Sequence, residues 1–225
     1  MNNFEEKGFE VIHDFLQHDV VSKILYDLNS VELGHCQGGL RNIESQFASV
    51  EALVNSDYLK NQAASYLIGI PNFVRAIYFN KSANNNWLVP WHQDKTIAVS
   101  ERLDIKGWRS WSIKNGKPHV QPPSSVLNDM VTFRINLDDV TKDNGCLKVI
   151  PGSHKRGILS QNAITDMVAV SEITHCFAPK ASALVMKPLI IHSSNKAKIP
   201  DNRRVLHIEY SSFQLPGGLK WALAV

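Results

Sequence analysis

The spacing of apolar residues along the chain changes once, from a helical to an alternating rhythm. Gly8 to Phe15 mixes apolar and polar positions like a short strand. Asp19 then has the chemistry of a helix N-cap, and Val20, Val21, Ile24, Leu25 and Leu28 follow at helical spacing. A second helix is expected within residues 50–68, where Val50, Leu53, Val54, Leu59 and Ala63 form one stripe and Gly69 and Pro71 lie beyond its end. Residues 1–72 therefore read as a helical buttress for a sheet.

From residue 73 the pattern is mainly that of strands. Phe73 to Phe79 forms one, and Leu88 to Ile97 another. In Val131 to Leu137, the residues Val131, Phe133, Ile135 and Leu137 share one face, and Thr132, Arg134 and Asn136 the other. In an open sandwich that polar face meets solvent; in a barrel-like sandwich with a ligand inside, it lines a pocket. Asp138-Asp139 and Asp143-Asn144-Gly145 mark a turn, Cys146 to Ile150 a further strand, and Pro151-Gly152-Ser153-His154 a tight corner. Ala183 to Ser194 and Arg203 to Phe213 complete the set.

Frequent turns without a βαβ rhythm predict a mainly β jelly roll with flanking helices. The 225 residues suit a single domain, with its core over residues 73–213. Residues 98–128 read as one long irregular segment containing Trp108, Trp111 and His119. A loop of that length usually covers a site. It is expected to be a lid bringing Trp108 and Trp111 to a substrate, the alternative being a surface loop pinned by two tryptophans. Arg41, after Gly38-Gly39-Leu40, either reaches a ligand or stands as an exposed loop arginine. Residues 157–180 show no clear period.

Composition narrows the function classes. A net charge of +3 without a block of like charges gives no support for nucleic-acid binding. The N-terminus lacks the basic start and apolar run of a signal peptide, and no apolar stretch is long enough to span a bilayer. Cys36, Cys146 and Cys176 are scattered and not in metal-ligand spacing, as expected of free thiols in a reducing cytoplasm.

The candidate chemistry centres on Trp91-His92-Gln93-Asp94. On a strand, His92 and Asp94 project to the same side and offer two adjacent corners of an octahedral metal site. A distant His would complete the facial triad of a non-haem iron oxygenase. The triplet alone is weak evidence, so its context decides. His192, at the end of an apolar run, is the suitable partner, and Arg203 follows it at the start of a strand. Such a site leaves positions for the keto oxygen and near carboxylate of 2-oxoglutarate. Arg203 offers a planar fork to the far carboxylate, with Ser194 beside it.

Several stretches resemble the phytanoyl-CoA dioxygenase family: Trp91-His92-Gln93-Asp94, Leu137-Asp138-Asp139-Val140, Asn144-Gly145-Cys146-Leu147, Ile150-Pro151-Gly152-Ser153-His154 and His192…Arg203. The resemblance runs over most of residues 8–213. It implies a cupin-like double-stranded β-helix, with Fe(II), 2-oxoglutarate and dioxygen. By position it implies iron ligation by His92, Asp94 and His192, and 2-oxoglutarate anchoring by Arg203 and Ser194. Further cosubstrate contacts map near Ile77 to Lys81 and onto Arg134, which stands where the phytanoyl enzymes have an aromatic residue. The carboxylate of Asp94, where related halogenases have a small residue, implies oxygenation, with desaturation and ring closure as the open alternatives.

The expected reaction is hydroxylation of a C–H bond in a small-molecule substrate, releasing succinate and carbon dioxide. The rival is a catalytically silent metal- or metabolite-binding protein of the same fold. Zinc hydrolysis is a weaker rival, because no general base is evident beside the metal. Lys106, Arg109, Lys114 and Lys117 meet the phosphates of a coenzyme-A thioester in one reading and form a solvated face in the other.

Overall fold

Alternation in the long strands sorts the molecule into layers. The structure, a computed structural model, describes residues 3–31 and 38–222; Cys36 and the chain end at 223–225 lie outside them. The N-terminal part runs α1 (Asn3–Lys7), β1 (Phe9–Ile12), α2 (His18–Asp27), β2 (Leu40–Arg41), α3 (Ala48–Asn55) and α4 (Asp57–Ala64). There follow β3 (Asn72–Lys81), β4 (Val89–His92), β5 (Ile97–Ala98), β6 (Arg109–Lys114), β7 (Lys117–Gln121), α5 (Ser124–Asn128) and β8 (Met130–Asn136). The last part contains β9 (Leu147–Val149), α6 (Gln161–Val170), β10 (Thr174–Cys176), β11 (Ala183–Met186), β12 (His192–Ser194) and β13 (Arg203–Ser211).

Two antiparallel sheets make the double-stranded β-helix. The larger has the order β1-β11-β8-β13-β3-β2 and the smaller β10-β9-β12-β4. On the outer face of the larger sheet, Val131, Phe133, Ile135 and Leu137 join Leu206, Ile208 and Tyr210, all buried against Val21, Ile24, Val50 and Leu59 of the helices. Each such apolar side chain contributes roughly 1.5–3 kcal/mol when fully buried, so this face fixes which residues of each strand turn inward. On the inner face, Leu184 and Met186 meet Leu147 and Val149 of the smaller sheet. That face also carries a polar group: Arg75, Arg134, Arg203, His207 and Glu209 are all buried.

The observed boundaries correct several expectations. The first strand stops at Ile12, because Asp14 takes a left-handed conformation (φ 51°) that ends an extended run. Asp19 lies inside α2, not at its cap; Gln17 occupies that position without a side-chain bond, and Asp19 instead places its charge in the first turn. The single helix expected within residues 50–68 is two, since Ser56 is extended and caps α4 by accepting from the Leu59 N–H. The strand expected over Leu88–Ile97 breaks after His92.

Residues 98–128 are likewise not irregular. β5, β6 and β7 form a three-stranded antiparallel sheet, followed by α5. The turn Asn115-Gly116 between β6 and β7 has both residues at positive φ, as a tight hairpin needs. The unpatterned stretch 157–180 holds α6 and β10. No helix among the described residues is long and apolar enough to cross a membrane. Cys146 and Cys176 are buried free thiols.

Candidate metal centre

His92 and His192 sit directly opposite each other in the β4–β12 pairing, with ring centroids 4.2 Å apart. His92 Nδ1 lies 2.8 Å from the Pro90 carbonyl and His192 Nδ1 2.9 Å from that of Ile190. With Nδ1–H donating to a carbonyl in each ring, both Nε2 lone pairs face a common point. Asp94 supplies the third group: Oδ1 is 3.7 Å from His92 Nε2, and Oδ2 is 3.6 Å from His192 Nε2. The three ligand atoms lie within 4.8 Å of one another. This two-imidazole, one-carboxylate donor set suits a ferrous ion held on one face.

Gln93 explains why Asp94 faces inward although the strand has ended. Its buried amide donates to the carbonyls of Gly157 and Leu189 and accepts from the Leu159 N–H, while the Asp94 N–H donates to Pro188. Behind His192, Ser153 of the Pro151-Gly152-Ser153-His154 corner donates to Ile150 and accepts from the Ile191 N–H. Burial pushes His192 down to about 3, so its imidazole is neutral and ready to ligate. Burial opposes the charge on Asp94, but the positive surroundings of the carboxyl, in which Arg75 is the permanent charge, hold it below its ordinary value.

The triad opens into a cavity of about 230 Å³, whose wall includes Arg203, Arg134, Ser194, Ile77 and Arg41. Arg203 is 3% exposed, and among the described residues its Nε is buried without a partner and it forms no ion pair. Its neighbour Arg204 is committed elsewhere, with Nε and Nη2 on the two oxygens of Asp138 at 2.8 and 2.6 Å. Burial and the adjacent Arg134 lower the pKa of Arg203, a cost that an incoming carboxylate removes.

Ser194 lines the cavity, but its hydroxyl donates to Gly145 and accepts from Lys81 Nζ, each at 2.7 Å. Lys81 is fully buried behind Ser194 and is not part of the cavity wall. Its expected direct cosubstrate contact is therefore corrected: it supports the serine. Trp108 and Trp111 need a similar correction. Trp108 is buried among Val74, Ile97, Val120 and Leu127, Trp111 packs beside that cluster, and neither belongs to the wall. Their side chains fasten the hairpin to the core instead of facing a substrate.

Three residues of the inner face were not singled out from the sequence. Glu209 Oε1 accepts from Arg75 Nη2 at 2.7 Å and lies 2.9 Å from His207 Nε2, while Arg134 Nη1 is 3.1 Å from His207 Nδ1. Arg134 donates to Nδ1, so His207 carries its hydrogen on Nε2 and donates it to Glu209. Asp94, His207 and Glu209 also lie close enough to hold a metal. Two guanidiniums already occupy that group, which makes it a hydrogen-bonded support of the wall. The signal was present in Arg203, His207 and Glu209 alternating on one strand. A larger surface groove of about 930 Å³, bordered by Phe15, Val20, Ala52 and Tyr58, contains none of the triad.

The sequence profile of the phytanoyl-CoA dioxygenase family matches residues 4–205. The chain belongs to the phytanoyl-CoA dioxygenase family. Among characterised relatives, an L-proline trans-4-hydroxylase of Streptomyces griseoviridis is 30% identical over 66% of this chain; the match spans 58% of that protein's length. Crystal structures that share the fold include two of Streptomyces proteins. AviO1 of Streptomyces viridochromogenes Tue57 superposes with a TM-score of 0.69 at 19% identity, covering 95% of this chain and 94% of its own. HygX of Streptomyces hygroscopicus, bound to nickel, 2-oxoglutarate and hygromycin B, gives 0.66 at 14% identity, covering 92% and 84%. The phytanoyl-CoA dioxygenase fold thus frames the His92–Asp94–His192 site, and its donor set and the unpaired Arg203 fit iron and 2-oxoglutarate.

Proposed function

We propose that this protein is an Fe(II)- and 2-oxoglutarate-dependent dioxygenase that hydroxylates an unactivated C–H bond of a small molecule. One observation carries the reading: a facial His-Asp-His set with both Nε2 atoms free stands in the same cavity as a buried, unpaired arginine. A purely structural metal site would close its coordination sphere, and a purely structural arginine would have a partner.

In this reading His92, Asp94 and His192 hold iron, and Arg203 holds the far carboxylate of 2-oxoglutarate. Iron, 2-oxoglutarate and dioxygen together supply the oxidising chemistry, converting 2-oxoglutarate to succinate and carbon dioxide while one oxygen atom goes to the substrate. The chain's own part is positional. Carbonyl contacts fix both imidazole tautomers, Gln93 fixes the aspartate, and the walls of Ile77, Phe79 and Leu147 exclude water from the reacting bond. A cavity of about 230 Å³ favours a small substrate, since drug-sized ligands occupy sites of ≈ 300–1,000 Å³. Zinc hydrolysis fits less well, because Glu209, the nearest other carboxylate, is engaged by Arg75 and His207.

The test is succinate formation from 2-oxoglutarate in the presence of Fe(II) and air, followed across a metabolite collection. A hydroxylase incorporates one atom of labelled dioxygen into its product. Succinate release without any oxidised product, whatever compound is added, would contradict hydroxylation. Failure to form succinate at all would favour the binding-protein alternative.

A further inference from the structure

We propose that Arg41 and Lys114 form an anion clamp in the cavity wall, and that the substrate is a small molecule held there by a free carboxylate. This rests on the dioxygenase reading and names its substrate class.

The charges of the cavity do not balance without a second anion. Among the described residues, five cationic side chains line it, and Asp94 is the one carboxylate of the wall. Arg75 is paired with Glu209, and Arg134 leans on His207 and on the Phe79 ring, 5.4 Å away. Arg203 suits the far carboxylate of 2-oxoglutarate, whose other carboxylate belongs at the metal. Arg41 and Lys114 remain. Neither side chain makes a hydrogen bond or ion pair among the described residues, and Arg41 Nε is buried without a partner. Burial, Arg75 and Arg41 all lower the pKa of Lys114, while burial and Arg75 lower that of Arg41. Leaving two half-buried cations together is costly, and an anion between them reverses the cost.

The two cations come from separate elements that are tied to each other. Arg41 ends β2 opposite Ile77 of the wall, and Lys114 ends β6. Next to them, Asn42 Nδ2 donates to the Asn115 carbonyl at 3.3 Å, strapping the hairpin tip to the chain after β2. Both asparagines adopt left-handed backbone conformations, φ 56° and 49°, which asparagine tolerates better than most residues. The strap holds the clamp in place. A planar guanidinium and an ammonium on the wall of one cavity match one carboxylate, by a fork on one side and a point charge on the other.

The experiment is calorimetric titration of the full chain loaded with Ni(II) and 2-oxoglutarate. The probes are free amino acids and short aliphatic and cyclic carboxylic acids, each compared with its primary amide, its methyl ester and, where one exists, a phosphate monoester. Acids are expected to bind, with amides and esters about tenfold weaker or worse. Arg41→Gln and Lys114→Gln should each raise the dissociation constant of the best acid about tenfold, and Arg41→Lys should recover part of the loss. The 2-oxoglutarate dissociation constant should stay within about twofold of wild type, as an anion held at a different arginine requires. Absence of acid binding to a protein that binds 2-oxoglutarate normally overturns the clamp alone. So does an amide that binds as tightly as its acid, a preference for the phosphate, or acid affinity retained in both variants. Failure of 2-oxoglutarate itself to bind overturns the dioxygenase reading, and the clamp with it.

Discussion

Lys81 and Ser194 meet behind the cavity, Nζ donating to Oγ at 2.7 Å, and the same ammonium reaches the Asn195 carbonyl. Burial, Arg203 and Arg134 push Lys81 down to about 7. Its task is to fix a hydroxyl whose own hydrogen already belongs to Gly145. Lys81→Met keeps the buried volume and should change 2-oxoglutarate affinity by less than about threefold, below 1 kcal/mol. Equilibrium titration with 2-oxoglutarate checks this. A loss as large as that of an Arg203 variant would place Lys81 in direct contact with the cosubstrate.

Arg203 and Arg204 should separate cleanly. Arg203→Lys keeps charge but loses the fork, and should weaken 2-oxoglutarate binding by about 1–3 kcal/mol. Arg204→Lys breaks a partly buried bidentate pair with Asp138 but keeps the charge, and should lower stability by about 1 kcal/mol with little effect on 2-oxoglutarate. Denaturant melts and binding titrations on both variants give the comparison.

Arg75 and Glu209 form a buried pair, so removing one charge strands the other. Arg75→Met should destabilise the protein by about 3–5 kcal/mol, and the double variant Arg75→Met/Glu209→Met should recover most of that loss. Urea unfolding of the single and double variants measures the coupling. Equal stability of the single variant and wild type would mean Glu209 is protonated.

Acid should destabilise the metal-free protein before its carboxylates titrate. Burial pushes His119 down to about 4 and His192 to about 3, against an unfolded value of 6.5. Below pH 6.5 the unfolded chain takes up protons that the folded chain refuses, so stability falls as pH drops from 6.5 through 4. Between pH 6.5 and 5 each histidine costs about 2 kcal/mol. Urea melts at these pH values should show the fall, and His119→Gln should reduce its slope.

Gly145 occupies φ 81°, and an added Cβ would stand 2.7 Å from the Asn195 carbonyl. Gly145→Ala should therefore cost about 1–3 kcal/mol and disturb the Ser194 hydrogen bond. Thermal melts read the first effect and 2-oxoglutarate titration the second.

Much of this arrangement was legible in the chain. Strict alternation over Val131–Leu137 separated the face holding Arg134 from the apolar one, because the helices bury every other residue there, but left open whether that face meets solvent or a pocket. The helical stripe over residues 50–63 survived, but its break did not show, since Ser56 serves equally as a helical serine or as a cap. Trp108 and Trp111 misled because a tryptophan rich in loop company looks like a ligand contact, whereas here both anchor a hairpin. Lys81 alternates with Ile77 and Phe79 on β3, but whether it meets ligand or protein depends on Ser194, far along the chain. His207 and Glu209 alternate with Arg203 on β13; their pairing with Arg75 and Arg134 depends on strand register, which alternation alone does not give.

The central claim is most directly tested by anaerobic titration of the wild type, Asp94→Ala and His192→Ala with Fe(II) and then 2-oxoglutarate. The wild type is predicted to bind one iron per chain and to develop a visible charge-transfer band when 2-oxoglutarate is added. Both variants should remain folded by circular dichroism, lose tight iron binding and show no band. Stoichiometric iron and a full band in folded Asp94→Ala and His192→Ala would contradict the account.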